Sequence, residues 1–191
     1  MSKAPLRTAH CAPETEPLMD AANKQSHIQS ILDELFGARR PTAWVTRARP
    51  KIDRIACPWL ILRFIDPNAR ILYVPTEEVF AVAAREQAAA FDIPGAPFSH
   101  DGDLCSFDAF LKRFGLADPG LAALAPIVRG ADTDRHDLAP EAAGVHAISL
   151  GLCANYDDDA ALLAQGLVLY DALYAWATRA RGERHAWTPT P

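Results

Sequence analysis

The chain has 191 residues and a formal net charge of −5, and 50% of its residues are hydrophobic. This length predicts one domain with terminal extensions, and the hydrophobic share is large enough for a substantial core. The acidic balance argues against a general nucleic-acid binder, because such proteins present an excess of Lys and Arg to phosphates.

The N-terminal segment, residues 1 to about 23, is polar and lacks the apolar core of a secretory signal. No later stretch is expected to be long and apolar enough to span a bilayer, so we expect a cytoplasmic protein without membrane contact. Apolar residues at helical spacing then predict a short helix over 26–36, which Gly37 ends.

The main domain is expected to open with a β-α-β pattern and to continue as a run of helices. The predicted elements, in chain order, are a strand over 42–47, a helix over 52–66, a strand over 69–75, a helix over 77–90 capped by Thr76, a loop over 91–103 with room for one short strand, a helix over 106–114 capped by Ser106, a helix from the cap Asp118 to about 133, a helix over 139–156 and a final, central helix over 157–181.

These elements predict an α+β fold, mostly helical with a small β-sheet formed near the start of the domain. The expected organisation is a tail and short helix over 1–40, the domain over 41–183 and a C-terminal tail over 184–191.

The first candidate site is the segment 47–60, RARPKIDRIACPWL, in which four cations fall within eight residues. Two helix starts fit this segment: Asp53 as the N-cap with Pro58 inside the helix, or Cys57 as the N-cap with Pro58 in the favoured first position. In both, Cys57 lies near a helix N-terminus.

The helix dipole and the cations Arg47, Lys51 and Arg54 would there favour a thiolate at Cys57 and a bound oxyanion. The alternative interpretation is that the cations face solvent while Cys57 packs as a small apolar residue.

The second candidate is a metal site. His100, Cys105 and Asp108 lie within nine residues, and imidazole, thiolate and carboxylate can share a metal ion, although their spacing is not a standard zinc signature. The alternative is a polar loop in which Asp108 complements a helix dipole.

A third candidate follows in RGADTDRHD, where Asp132 and His136 would lie one turn apart if the helix continues. The alternative is that TDRHD is a loop that closes the helix. We expect His136 to be structural, leave Asp132 open as a ligand, and expect His146, in an apolar helical segment, to be a satisfied core histidine.

Four blocks of the sequence together resemble a known family. They are WVTRARPKIDRIACPWLILRFIDP, FSHDGDLCSFDAFLKRFGL, IVRGADTDRHDLAPEAAGVHAISLGL and GLVLYDALYAW. In this order, from about Trp44 to Trp176, they resemble the C-terminal domain of the bacterial chromate-resistance protein ChrB family.

The resemblance implies a role in chromate resistance, with chromate sensing or handling as the usual proposal. The family's motif residues carry over to these positions: Arg47, Lys51, Asp53, Arg54, Cys57, Trp59, His100, Cys105, Asp108 and Asp132. Where relatives often have Asp-Asp-His, this chain has Asp157, Asp158 and Asp159. Full-length regulators carry a winged-helix-like module before this domain, and about forty residues are too few for one, so we do not expect direct nucleic-acid binding.

Three hypotheses follow. The first is a chromate-responsive binding or sensor domain in which Arg47, Lys51 and Arg54 bind the dianion and Cys57 reacts with it. The second is a metal-dependent enzyme, redox or hydrolytic, that detoxifies chromate or its by-products. It would hold one divalent ion (Zn, Fe or Mn) with ligands drawn from His100, Cys105, Asp108 and Asp132. The third is an interaction module with a protein partner or a second copy of itself, marked by an apolar patch on the final helix.

Overall fold

A computed structural model describes residues 21–183, so the sequence expectations for the tails over 1–20 and 184–191 lie outside the described residues. Within residues 21–183 the strands are β1 (Ala43–Arg47), β2 (Arg70–Val74) and β3 (Ala89–Ala90). The α-helices of the same range are α1 (Ala21–Phe36), α2 (Asp53–Leu60), α3 (Val79–Glu86), α4 (Ser106–Arg113), α5 (Pro119–Asp132), α6 (Ala142–Asn155) and α7 (Asp159–Ala175). The predicted fold class is confirmed: the chain is mostly helical, with a small sheet near the start of the domain.

The sheet is parallel, with strand order β2-β1-β3. Val45 of β1 lies opposite Leu72 on one side and Ala90 on the other. Because the strands are parallel, the loops that follow β1 and β3 leave from the same edge of the sheet. That edge is the usual place for a ligand site in a parallel sheet.

An aromatic cluster around the fully buried Trp44 joins the sheet to the helices. The Trp44 ring lies 5.1 Å from Phe36 of α1, 5.5 Å from Phe98 and 5.4 Å from Phe110 of α4, measured between ring centroids. Phe98 also stacks on Phe110 at 4.3 Å. Since Phe98 comes two residues before His100, this packing holds the loop that carries His100.

Helix α2 begins at Asp53, after Ile52 with a φ of 26°, and it contains Pro58. Of the two helix starts considered, the one with Cys57 as the N-cap is therefore wrong. Proline has no N–H to donate to the carbonyl of Arg54, four residues earlier. The hydroxyl of Tyr73 on β2 donates to that carbonyl instead, at 2.6 Å, so a buried backbone acceptor keeps a partner.

The helix predicted over 26–36 begins earlier, at Ala21. Three further predictions on the helices need correction. The helix predicted to include Ala90 ends at Glu86, because Gln87 is left-handed (φ 52°), and the chain then enters β3. Thr76 makes no capping hydrogen bond from its side chain and lies instead in a 3-10 turn over Thr76–Glu78. Cys105, rather than Ser106, is the N-cap of α4.

The capping of α5 is confirmed: the side chain of Asp118 accepts a hydrogen bond from the N–H of Leu121 at 3.0 Å, and Pro119 occupies the first helical position. A short polar side chain before proline was enough to predict this start.

Helix α7 continues through one turn of π-helix, so that Asp159–Ala180 forms 22 helical residues. By length and composition this span could cross a membrane, and the expectation that no stretch was long enough is wrong in that respect. A core helix of a soluble protein can pass the same test, and α7 packs on α2 and α5.

Helix α7 is also less central than predicted. Its buried residues are Leu162, Gly166 and Tyr170, whereas Val168 is 65% exposed. Ile148 of α6 is 49% exposed. Apolar side chains on both helices thus face outward, which is the kind of surface the interaction-module hypothesis requires; a partner remains a prediction.

Candidate metal and oxyanion site

Four polar side chains meet at the carboxyl edge of the sheet. Asp53 is the first residue of α2, Asp92 lies two residues after β3, His100 lies in the loop before α4, and Asp132 is the last residue of α5. We call Asp53, Asp92, His100 and Asp132 the acidic cluster. Its members are far apart in sequence and are brought together by the parallel sheet and by the packing of α5 against α2 and α4.

His100 is the centre of this cluster. Its Nε2 lies 3.0 Å from Oδ2 of Asp132, 3.6 Å from Oδ2 of Asp53 and 3.6 Å from Oδ1 of Asp92. Asp53, His100 and Asp132 each offer one ligand atom, and these atoms all lie within 4.8 Å of one another. The group could therefore hold a metal ion.

Asp53 is fully buried. Its Oδ2 accepts a hydrogen bond from the backbone N–H of Ser106 at 2.5 Å, and the Cys105 thiol also donates to its carboxylate. Its Oδ1 has no hydrogen-bond partner among the described residues. A buried carboxylate oxygen without a partner is costly, so this position calls for a proton or a cation.

Asp92 differs from the other two carboxylates because it has cationic partners. Its Oδ2 lies 2.9 Å from a guanidinium nitrogen of Arg47 and 3.3 Å from Nε of Arg54, and its Oδ1 accepts from the Ser106 hydroxyl at 3.0 Å. Burial acts to raise the pKa of Asp92, but hydrogen bonds from His100 and Arg47 outweigh burial and lower the pKa. Asp92 is thus an ionised carboxylate whose charge is already compensated.

The remaining groups show a shortage of positive charge. Burial, followed by the charges of neighbouring carboxylates, raises the pKa of both Asp53 and Asp132. The pKa of His100 is raised to about 9, first by Asp92 and then by the charges of Asp53 and Asp132, against the opposing effect of burial. One imidazolium is shared among these carboxylates, and a divalent ion would complement the cluster better.

The predicted oxyanion ligands divide into two groups. Arg47 and Arg54 reach the site, but both contact Asp92. Lys51 is exposed. The Nε of Arg47 is buried and has no hydrogen-bond acceptor among the described residues. This donor is unsatisfied but closed to solvent, so an anion could reach it only if the Arg47 side chain moved.

Cys57 lies inside α2 and is fully buried. Burial, followed by the negative charges of Asp53 and Asp92, raises the pKa of the Cys57 thiol. The surroundings of the sulfur therefore favour the protonated thiol over the expected thiolate, because the low-dielectric core and the nearby carboxylates both disfavour a further negative charge. A redox role for Cys57 stays a prediction, and the burial of the sulfur argues against it.

Asp108, predicted as a metal ligand, is engaged elsewhere. Both of its oxygens accept hydrogen bonds from Arg129, at 2.7 and 2.8 Å, and Oδ2 also accepts from the backbone N–H of Cys105 at 3.1 Å. The Cys105 thiol is buried beside Asp53, and burial raises its pKa. Of the four predicted ligands, His100 and Asp132 belong to the three-residue group that could hold an ion, whereas Cys105 and Asp108 support its surroundings.

Sequence reasoning missed two members of the cluster. Asp53 was considered as a helix cap and as a motif residue of the family but not as a metal ligand, and Asp92 lay in a segment interpreted as a loop. A carboxylate directly after a strand could have indicated Asp92, but β3 is only two residues long and was predicted as helix. Asp132 and His136 are not one turn apart on a helix, because α5 ends at Asp132 and His136 lies in a separate turn over His136–Leu138.

Comparison with known proteins gives one consistent result. A family model described as "ChrB, C-terminal domain" matches residues 44–177. "Protein ChrB" from Cupriavidus metallidurans is 40% identical over 132 residues, a segment that covers 69% of this chain and 39% of that protein. No solved structure matches. The matched range contains all four members of the acidic cluster.

Proposed function

Since this chain belongs to the ChrB C-terminal domain family, we propose that it serves chromate resistance by binding the oxyanion at a divalent-metal centre held by Asp53, His100 and Asp132. The observation that carries the proposal is the partnerless, buried Oδ1 of Asp53 within a group of ligand atoms that lie within 4.8 Å of one another. Positive charge at this point would satisfy the cluster.

The distances between ligand atoms support this assignment. Ligand atoms around one ion at about 2.1 Å lie roughly 3.0–3.4 Å apart. Here Nε2 of His100 lies 3.0 Å from Asp132 and 3.6 Å from Asp53. Small side-chain movements would be enough to bring the three groups onto one ion. Two carboxylates and one imidazole suit manganese, iron or zinc.

The polar surroundings position these ligands. Ser106 fixes Asp53 through its backbone N–H, and the N–H of Asp53 donates to Oδ1 of Asp132 at 3.4 Å. Arg47 and Arg54 hold Asp92, which in turn interacts with His100. Groups of this kind orient metal ligands and set their basicity.

Three protein ligands would leave coordination positions open for an oxygen of a tetrahedral dianion. His100 also lines a groove of about 390 Å³ that carries Lys112 and Arg113. We propose that the anion approaches through this groove, because Lys112 would attract chromate while the carboxylates alone would repel it. Arg113 contributes less, since it is already paired with Glu34, and Asp101 also lines the groove. Binding would come first. A later step would either transmit a signal that chromate is bound or change the anion chemically.

The proposal predicts that metal loading raises the affinity for chromate. Untagged protein would be freed of metal, reloaded anaerobically with Mn²⁺ or Zn²⁺, and titrated with chromate by equilibrium dialysis, with sulfate in parallel. Fe²⁺ is left out because it reduces chromate and would obscure binding. We expect Asp132→Asn and His100→Gln each to lose one equivalent of metal and the metal-dependent part of chromate binding. Glu77→Gln, at an exposed carboxylate in the turn over Thr76–Glu78, is the matched control and should behave as the wild type.

Two results would count against the proposal. Equal chromate affinity with and without metal would remove the metal from anion binding. Unchanged metal stoichiometry in both Asp132→Asn and His100→Gln would place the ion elsewhere in the chain.

A second candidate is direct anion binding by Arg47, Lys51 and Arg54 without a metal. The unsatisfied Nε of Arg47 favours it, since this buried donor has no acceptor among the described residues and would gain one if the side chain turned toward an anion. In this case metal-free protein binds chromate, and Lys51→Ala weakens binding while Asp132→Asn strengthens it by removing a nearby negative charge.

A further inference from the structure

A second group of ligand-bearing side chains lies where α5 turns into α6. Nε2 of His136 is 3.0 Å from Nδ1 of His146, and Oδ1 of Asp134 is 3.7 Å from Nε2 of His136. The three ligand atoms lie within 4.8 Å of one another. We propose that Asp134, His136 and His146, the two-histidine cluster, form a second metal site for a borderline divalent transition ion such as Zn²⁺, Co²⁺ or Ni²⁺.

The contact between the two rings supports this proposal. At 3.0 Å, the two facing nitrogens can share one proton in an N–H···N hydrogen bond, but they cannot both be protonated without repulsion. Two imidazole nitrogens bound to one ion at about 2.0–2.1 Å also lie roughly 2.9–3.4 Å apart. An ion could therefore replace the shared proton with little movement of either ring.

The backbone holds the turn in place before any ligand binds. The N–H of Arg135 donates to the carbonyl of Gly130 at 2.9 Å, and Arg135 also pairs with Asp137 at 2.9 Å. A Cβ on Gly130 would lie only 2.7 Å from the carbonyl oxygen of Arg135, so a glycine is what lets the turn close on α5. The position of His136 beside α6 follows from this closure.

His146 was expected to be a satisfied core histidine; it does have a hydrogen-bond partner, but it does not lie in the core. It is only half-buried, and its Nδ1 points at the imidazole of His136. The side chain of Asp134 is 86% exposed and that of His136 is 37% exposed. The site is therefore open to solvent, so an ion could enter and waters could complete its coordination.

The two-histidine cluster differs from the acidic cluster in its donors. Two imidazoles and one carboxylate favour borderline ions, whereas two carboxylates and one imidazole are a harder set. The two groups share no residue. Their metal preferences and their responses to mutation should therefore be separable, and failure of one site does not imply failure of the other.

The test uses the full, untagged chain, freed of metal and titrated with Zn²⁺ by calorimetry and with Co²⁺ by visible absorbance. We expect His136→Ala and His146→Ala each to remove the same single equivalent, with binding weakened more than about tenfold. His100→Gln should keep that equivalent. His27→Ala, an exposed histidine on α1, is the matched control and should leave both titrations unchanged.

Far-ultraviolet circular dichroism would check that each variant is folded, and His146→Gln would replace His146→Ala if the latter unfolds. Loss of the same Co²⁺ absorption band in the His136 and His146 variants supports a shared site. Wild-type stoichiometry and affinity in both variants would overturn the proposal, as would a wild-type protein that binds no Zn²⁺ or Co²⁺ outside the acidic cluster.

Discussion

The carboxylate of Asp53 accepts the backbone N–H of Ser106 at 2.5 Å, which ties the first residue of α2 to the first residue of α4. This bond orients the carboxylate and leaves its second oxygen buried without a partner among the described residues. One side chain therefore joins two helices and also offers a ligand atom to His100 and Asp132. A substitution at Asp53 would change both roles. The more exposed His100 and Asp132 are therefore the better positions at which to test the metal site.

The protonation of His100 should be measurable in metal-free protein. Its pKa is raised to about 9, first by Asp92, so we expect the ring to be cationic at neutral pH. NMR of the imidazole resonances against pH would measure this. We expect Asp92→Asn to move the midpoint down toward the ordinary value of 6.5. A wild-type midpoint near 6.5 would contradict the charge distribution described for the cluster.

The same shift has a consequence for folding. A histidine whose pKa is raised in the folded state stabilises the protein fully below its unfolded pKa, and this contribution is lost as the pH rises through about 9. The raised pKa values of Asp53 and Asp132 have the same sign, since the folded state holds protons that the unfolded state releases as the pH rises above about 3.8. The interval between pH 7 and pH 10 therefore tests the contribution of His100. Urea denaturation of metal-free protein at pH 7 and pH 10 should therefore show lower stability at pH 10, beyond the loss seen in His100→Gln.

The ion pair between Asp108 and Arg129 should be structural. Asp108→Asn breaks a two-point contact at 2.7 and 2.8 Å and weakens the acceptor for the N–H of Cys105. We expect a loss of about 1–3 kcal/mol in the free energy of unfolding, measured with urea. Metal stoichiometry should stay at the wild-type value. A missing equivalent of metal in this variant would restore Asp108 as a ligand.

The contact between α2 and α7 depends on Gly166. A Cβ at this position would overlap with Cγ2 of the fully buried Ile55. We expect Gly166→Ala to destabilise the protein by about 1–3 kcal/mol through overpacking. In an Ile55→Ala background the same substitution should cost much less, and a double-mutant cycle would measure this coupling.

The matched control for that substitution is Gly151→Ala on α6, where an added Cβ meets nothing within 4 Å. Alanine there should stabilise the helix by roughly 0.5–1 kcal/mol. Equal effects at the two glycines would mean that close helix packing is not the cause.

Cys57 should resist thiol reagents in the folded protein. The sulfur is buried and its pKa is raised, so few molecules carry an accessible thiolate. Iodoacetamide labelling followed by mass spectrometry, in a Cys11→Ser background, should modify Cys57 only after denaturation. Rapid modification under native conditions would return Cys57 to consideration as the group that reacts with chromate.

Much of the fold was predictable because local signals agreed with one another. Asp118 followed by Pro119 marked the start of α5, and Gly37 marked the end of α1. Errors arose where tertiary contacts overrode local preference. Alanines 88–90 favour helix, yet β3 forms there because Ala90 pairs with Val45 of β1.

The candidate site was predictable in its residue types and not in its membership. Local sequence placed cations before Cys57 and a histidine near Asp108 and left Asp132 open as a ligand, and the motif resemblance supported all of these positions. Local sequence could not reveal that Arg47 and Arg54 form ion pairs with Asp92, or that Arg129 forms one with Asp108. These partners lie tens of residues apart in the chain.

The sequence by itself determined the mixed fold class, most helix boundaries and the family, because periodicity, capping and motif order are local properties of the chain. Only the tertiary structure decided which carboxylates are compensated and which are not. Asp53 and Asp132 are short of positive charge, whereas Asp92 is paired with two arginines. The physical reason is that pKa values and ligand sets depend on distances across the core, and the packing of α2, α4 and α5 against a parallel sheet sets those distances.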